Sequence, residues 1–198
     1  MTDNVDRSKR RLLLAATSAA GGVAAAGMAT PFVMSFMPSE RAKAAGAPVE
    51  VDISAIEPGT MKVVEWQGKP VWVVRRTPEM IEMLSKHDGE LTDPTLSVPQ
   101  QPDYCKNATR SIKPEVFVVI GICTHLGCSP SFRPEVAPAD LGAKWAGGWF
   151  CPCHGSRFDL AARVYQGSPA PTNLIIPPHQ YLSDTVLLIG DDKKKGVA

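Results

Sequence analysis

Hydrophobic and polar positions divide the chain into three textures. Leu12 to Met37 is a run of 26 residues without a charge. As a helix rising about 1.5 Å per residue, it can cross a hydrocarbon core of about 30 Å. The run is rich in Ala and Gly and only mildly hydrophobic, and Pro31 inside it predicts a kink or an early end to the regular part. Pro38 to Pro48 (PSERAKAAGAP) is small and polar. It can bury little surface, so residues 38–48 are expected to form a flexible neck.

From Val49 the pattern becomes a series of short β-type runs. Val49-Glu-Val51-Asp-Ile53 alternates apolar and polar, as a half-buried strand does. Met61–Glu65 and Pro70–Arg75 predict two more strands, joined by a turn at Gln67-Gly68-Lys69. Thr77-Pro78-Glu79 predicts a helix start, with Thr77 as N-cap and Pro78 in the first position, running to about Lys86. Leu91–Ile112 is polar and proline-bearing, a long loop. Pro114–Ile122 (PEVFVVIGI) is a strongly apolar strand. Ser129–Gly148 is a Pro- and Gly-rich excursion, ending at a short strand at Trp149-Phe150. Val164-Tyr165, Leu174–Ile176 and Thr185–Ile189 predict the remaining strands, and Asp191–Ala198 a frayed charged tail. The fold class is therefore mainly β, with one N-terminal transmembrane helix and one short helix in the globular part.

Charge changes the picture at one end only. With 21 Lys and Arg against 20 Asp and Glu, the net charge of +1 gives no hint of nucleic acid. Arg7, Lys9, Arg10 and Arg11, however, precede the apolar run. A basic flank stays in the cytoplasm, sending the following domain outward. Ser8-Lys-Arg10-Arg11-Leu-Leu also resembles a twin-arginine export signal. The alternative is a cleaved signal peptide, with Ala42-Lys-Ala44 as the cleavage site. An uncleaved anchor is favoured because 26 residues exceed the usual signal core of about 7–15. The expected organisation is a basic segment at 1–11, the membrane helix at 12–37, the neck at 38–48 and an exported domain at 49–198.

The chemistry lies in a split motif. Cys123-Thr-His125-Leu-Gly-Cys128 and Cys151-Pro-Cys153-His154-Gly-Ser156 each offer a cysteine and a histidine at close spacing. Together they make a set of two thiolates and two imidazoles, which suits zinc or an iron–sulfur cluster in which two histidines replace two cysteines. Structural zinc sites usually show two to four residues between ligands and no spare cysteines. Here Cys128 and Cys153 are left over, one per half and at places that look matched. Both halves feed from strands, which hold short loops firmly. Of the other candidates, Cys105 is expected to be an unpaired, partly buried thiol, His87 a surface residue and His179 a structural one.

Letter for letter, the two halves resemble the disulfide-bearing motif of the Rieske iron–sulfur subunits of bacterial cytochrome bc complexes, the ubiquinol–cytochrome c reductases. The anchor, the neck and the Gly167-Ser-Pro-Ala-Pro171 loop extend the likeness. The resemblance implies an antiparallel β Rieske-type domain with a small cluster-binding part at about 120–172. It implies one [2Fe-2S] cluster held by Cys123, His125, Cys151 and His154, and a Cys128–Cys153 disulfide, which suits an oxidising compartment. It implies a hydroxyl bond from Ser156 to a cluster sulfide, and Phe158 where many relatives carry a tyrosine donor. Leu126 would press into the quinol pocket and His154 would face the quinol. The neck would let the domain swing between partners.

Two imidazoles in place of two thiolates make the group less negative and easier to reduce, at about −150 to +300 mV for the class. They also link electron uptake to proton uptake. Without the tyrosine, a lower potential within that range is expected. The implied role is electron and proton transfer from quinol to cytochrome c1, with cytochrome b and cytochrome c1 as partners in a dimeric, proton-translocating complex of the inner membrane. The alternative role is the Rieske small subunit of a periplasmic molybdenum enzyme such as arsenite oxidase. A zinc-stabilised binding module is the non-redox alternative.

Overall fold

The computed structural model describes residues 6–192, in two compact units: the first up to Ala44 and the second from Ala45. The predicted tail lies largely outside the described residues.

In the first unit, helix α1 spans Arg7–Ser35. The Asp6 side chain caps it, accepting hydrogen bonds from the Ser8 and Lys9 amides, where a carboxylate also meets the positive end of the helix. Pro31 does not end the helix, which continues for another turn. The Thr17 and Thr30 hydroxyls donate to carbonyls four residues back, Leu13 and Ala26, so neither needs water. No residue of α1 is buried against protein, and the helix is long and apolar enough to cross a membrane. The predicted neck is not wholly irregular. Glu40–Ala45 forms a short helix, α2, with Ser39 Oγ accepting from the Ala42 amide. Glu, Arg, Lys and Ala are good helix formers, a feature that a reading of the segment as merely small and polar overlooks.

The second unit consists of three antiparallel three-stranded sheets. Strands β1 (Val49–Asp52), β9 (Val186–Ile189) and β8 (His179–Tyr181) make one. Strands β2 (Met61–Trp66), β3 (Lys69–Arg75) and β4 (Val116–Ile120) make the second. The third contains β5 (Ser131–Arg133), β6 (Gly148–Phe150) and β7 (Arg157–Phe158). The β2–β3 hairpin turns at Gln67 and Gly68, both at positive φ (53° and 70°), as a two-residue turn between twisted strands requires.

Strands β3 and β4 of the second sheet are buried on both faces, which explains their apolar runs, whereas β2 is largely exposed. Side chains alternate along a strand. Val71 and Val73 of β3, with Val118 and Ile120 of β4, join a core with Val51, Leu187 and Ile189 of the first sheet. Trp72 and Val74, with Phe117 and Val119, join a second core that contains Cys123, Trp149, Cys151 and Phe158. One sheet therefore supports a structural core on one face and the cysteine-bearing region on the other.

Helix α3 spans Pro78–Leu84, capped by Thr77, whose hydroxyl accepts from the Met80 amide. It stops two residues before the predicted Lys86. Other predicted elements differ too. Val164 and Tyr165 make only isolated bridges, to Phe158 and Leu91. Leu174–Ile176 is irregular: Leu174 and Ile176 plug a core, Ile175 is exposed, and the backbone bonds of the three go to separate segments at Ala162, Ile120 and Gln100. β5, β7 and β8 were not predicted: all three are short, β5 lies between two prolines and β8 follows two. His87 is not a plain surface residue. It is half-buried, its Nε2 has no hydrogen-bond partner among the described residues, and its ring stands edge-on to Tyr165 at 6.5 Å. His179 is buried, with Nδ1 2.9 Å from the Pro177 carbonyl, and burial lowers its pKa. Cys105 is fully buried, beyond the partial burial expected, and burial pushes its thiol up to about 11.

Candidate metal centre

Both halves of the motif are six-residue loops closed by the same pair of backbone bonds. In the first, the Cys123 amide donates to the Cys128 carbonyl at 2.7 Å and the Gly127 amide to the Cys123 carbonyl at 3.0 Å. In the second, the Cys151 amide donates to the Ser156 carbonyl at 2.8 Å and the Gly155 amide to the Cys151 carbonyl at 2.9 Å. Each loop needs a left-handed fifth residue, and each has glycine there: Gly127 at φ 83° and Gly155 at φ 80°. No atom lies within 4 Å of where a Cβ would stand on either, so the backbone angle alone demands glycine.

This correspondence corrects the sequence reading of the leftover cysteines. Aligned by their hydrogen bonds, Cys128 matches Ser156 and Cys153 matches His125, so Cys128 and Cys153 do not occupy equivalent places. The two nonetheless form a disulfide. The same alignment pairs Leu126 with His154. Both stand at loop tips and both are exposed, Leu126 by 70%.

Four donors converge between the loops. Cys123 and Cys151 are buried and free of any disulfide. The rings of His125 and His154 lie 4.7 Å apart and perpendicular. His125 is half-buried, and its Nδ1 is buried without a hydrogen-bond partner. Burial pushes the Cys151 thiol above its ordinary range, and a hydrogen bond with the Cys123 thiol acts in the same direction. Adjacent buried thiolates are costly without a cation to hold them, and an orphaned imidazole nitrogen is a ligand in waiting. The residues therefore fit a metal group bound by two thiolates and two imidazoles. The sulfurs of Cys128, Cys151 and Cys153 also lie within 4.8 Å of one another. Two of those are joined to each other, so only Cys151 of that trio remains a donor.

Two supports were not legible in the sequence. The first is an aromatic floor. Trp149 of β6 stacks on Trp72 at 5.7 Å with rings 5° apart, and Phe117 and Phe132 close around it. Gly121, at the end of β4, is where Trp72 fits: a Cβ there would lie 2.2 Å from the indole. The second is the pinning of the 167–171 segment. The buried Ser156 Oγ accepts from the Ala170 amide at 3.0 Å, and Ser168 Oγ accepts from the Arg157 amide at 3.1 Å. Thr124, between Cys123 and His125, donates to the Thr172 carbonyl at 2.7 Å. The segment is thus tied to both loops. Since Ser156 Oγ accepts from Ala170, its own proton is free to be donated elsewhere. Phe158 is fully buried in the core shared with Cys123 and Cys151.

Comparison with known proteins agrees with this geometry. The family model described as "Rieske [2Fe-2S] domain" matches residues 48–178. The chain belongs to the Rieske [2Fe-2S] family. A second model, "Ubiquitinol-cytochrome C reductase Fe-S subunit TAT signal", matches residues 1–39. Among its relatives is the ubiquinol–cytochrome c reductase iron–sulfur subunit of Allochromatium vinosum, 65% identical over 189 residues, covering 96% of this chain and 91% of that one. The protein of the same name from Blastochloris viridis is 40% identical over 192 residues, with 96% of each chain covered. A chain of a solved hyperthermophilic respiratory Complex III is 28% identical, covering 87% of this chain and 96% of that one, with a TM-score of 0.49. With the family assigned, the cofactor of the domain is a [2Fe-2S] cluster, and the zinc reading falls.

Proposed function

We propose that the chain is the electron-carrying subunit of a membrane ubiquinol–cytochrome c oxidoreductase of the cytochrome bc type. The observation that carries this is the pairing of two loops of identical hydrogen bonding, which bring two free buried thiols and two imidazoles together. Cys123 and Cys151 would hold one iron of the [2Fe-2S] group, and His125 and His154 the other. What the bound group supplies is a one-electron acceptor and donor between quinol and cytochrome c1.

The protein's own residues do the rest. The Trp72–Trp149 floor and the pinned 167–171 segment exclude water from the thiolate side, so each thiolate meets its metal in a low dielectric. The exposed His154 offers a ring nitrogen to the hydroxyl of a quinol and takes its proton. Exposed Leu126 at the matching tip fits an apolar pocket at the quinol site on cytochrome b, while Ser156 donates its free proton towards the cluster. The basic flank of α1 keeps the N-terminus cytoplasmic, and α1 anchors the cluster domain on the opposite face of the membrane. The complex is dimeric, and the segment after α1 lets the domain travel between cytochrome b and cytochrome c1.

Purification of the intact complex from membranes tests this reading. Cytochromes b and c1 should co-purify with the chain, together with quinol-dependent reduction of cytochrome c. A molybdenum-containing partner instead would overturn it.

A further inference from the structure

Three guanidiniums are buried under the site: Arg76, Arg110 and Arg163. Arg163 is answered by carboxylates, with Asp159 and Asp88 each at 2.7 Å. Arg76 and Arg110 touch no carboxylate, and the carboxylates that act on them, Asp159 on both, Glu115 on Arg76 and Asp93 on Arg110, do so only from beyond contact. Arg76 donates to the carbonyls of Thr109, Pro114 and Leu160 and to the Ser111 hydroxyl. Arg110 donates to the carbonyls of Ala161, Ala162 and Leu174 and to the amide oxygen of Gln101. Among the described residues no carboxylate lies within ion-pair distance of either. Burial pushes both down to about 10, so both remain cations at neutral pH. Neutral oxygens satisfy their hydrogens, the more distant carboxylates offset their charge only in part, and a buried charge without a contacting counter-ion is costly unless something nearby benefits.

The cysteine-bearing core lies next to them. Ala162 and Leu174, whose carbonyls receive Arg110, pack in the same core as Cys123 and Cys151. The Arg76 guanidinium carbon sits 4.8 Å over the ring of Phe117 in that core. Thr172, two residues before Leu174, is bonded to Thr124 between two of the ligands. Charges coupled through the interior are screened far less than charges at the surface.

We propose that Arg76 and Arg110 are fixed interior cations that raise the reduction potential of the metal centre by stabilising the electron that it accepts. The inference rests on the cluster reading given above. Both arginines are positioning residues and touch neither cluster nor quinol.

Gln101→Glu is the discriminating variant. It places a carboxylate where the amide oxygen already accepts from Arg110 Nε and Nη2, offsetting the charge while keeping Arg110's bonds; both it and its control give up the amide donation to the Leu96 and Val98 carbonyls. Gln101→Met, neutral and similar in length, is the control. The readout is the midpoint potential of the cluster in the full-length chain within its purified complex, titrated at low and high salt, with the visible spectrum recording cluster content. The proposal expects Gln101→Glu to lower the potential at both salt concentrations, with Gln101→Met close to the parent. A potential that is unchanged or raised in Gln101→Glu overturns it, as does an equal fall in Gln101→Met. Absence of any cluster spectrum in the parent would instead overturn the cluster reading.

Discussion

Ser156 holds one observed bond and has one proposed role, and two readouts of Ser156→Ala separate them. The hydroxyl is fully buried and accepts the Ala170 amide. Removing it orphans that N–H in a dry site, where an unsatisfied buried donor costs about 1–3 kcal/mol. For a domain of this size each kcal/mol moves the unfolding midpoint by about 2–4 °C, so the loss is roughly 2–12 °C. Thermal unfolding of the purified chain by circular dichroism, at equal cluster content, reads the bond. The proposed role is donation of the free proton towards the cluster, read by redox titration as a fall in potential. An unchanged midpoint temperature would mean that the 167–171 segment is not held by this bond. An unchanged potential would mean that the hydroxyl proton points away from the cluster.

Other outcomes follow from the same geometry. Phe158→Tyr, at a fully buried position in the core shared with Cys123 and Cys151, should raise the potential in a redox titration; an unchanged or lowered value would count against the missing-donor argument. Gly127→Ala and Gly155→Ala should cost similar amounts, about 1–2 kcal/mol each, because both meet a left-handed backbone and neither meets a clash. Gly121→Ala should cost clearly more by driving the Trp72 indole aside. Denaturant titrations would show the contrast, and equal losses at all three would refute it. Replacing Cys128 and Cys153 together by alanine opens a link spanning 25 residues, worth about 3.5 kcal/mol in the chain-entropy estimate. A midpoint within about 2 °C of the parent would show that the loops hold without it.

How much was legible depended on the range of the force involved. Strands β3 and β4 announced themselves because burial on both faces leaves an apolar run, as at Val116–Ile120. Which face each residue serves was not legible, since Trp72 and Val73 are equally apolar and point to different cores. Leu174–Ile176 misled for the same reason: apolar content signals burial, and here Leu174 and Ile176 are buried without forming a strand. The α3 cap was legible because capping is local.

At the site, the ligand letters stood out but their frame did not. Counting from cysteine to histidine suggested a false equivalence of Cys128 with Cys153, whereas the backbone bonds align Leu126 with His154. The Ser156–Ala170 bond and the Arg110 carbonyl cage join residues 14 and more than 50 positions apart, and no local pattern encodes them.

The most direct test is chemical analysis of the purified chain beside its His125→Ala, His154→Ala double variant. The parent should contain two irons and two acid-labile sulfides per chain, reducible by one electron, and the double variant should lose them. A colourless parent, or a double variant that keeps its full complement of iron and sulfide, would contradict the account.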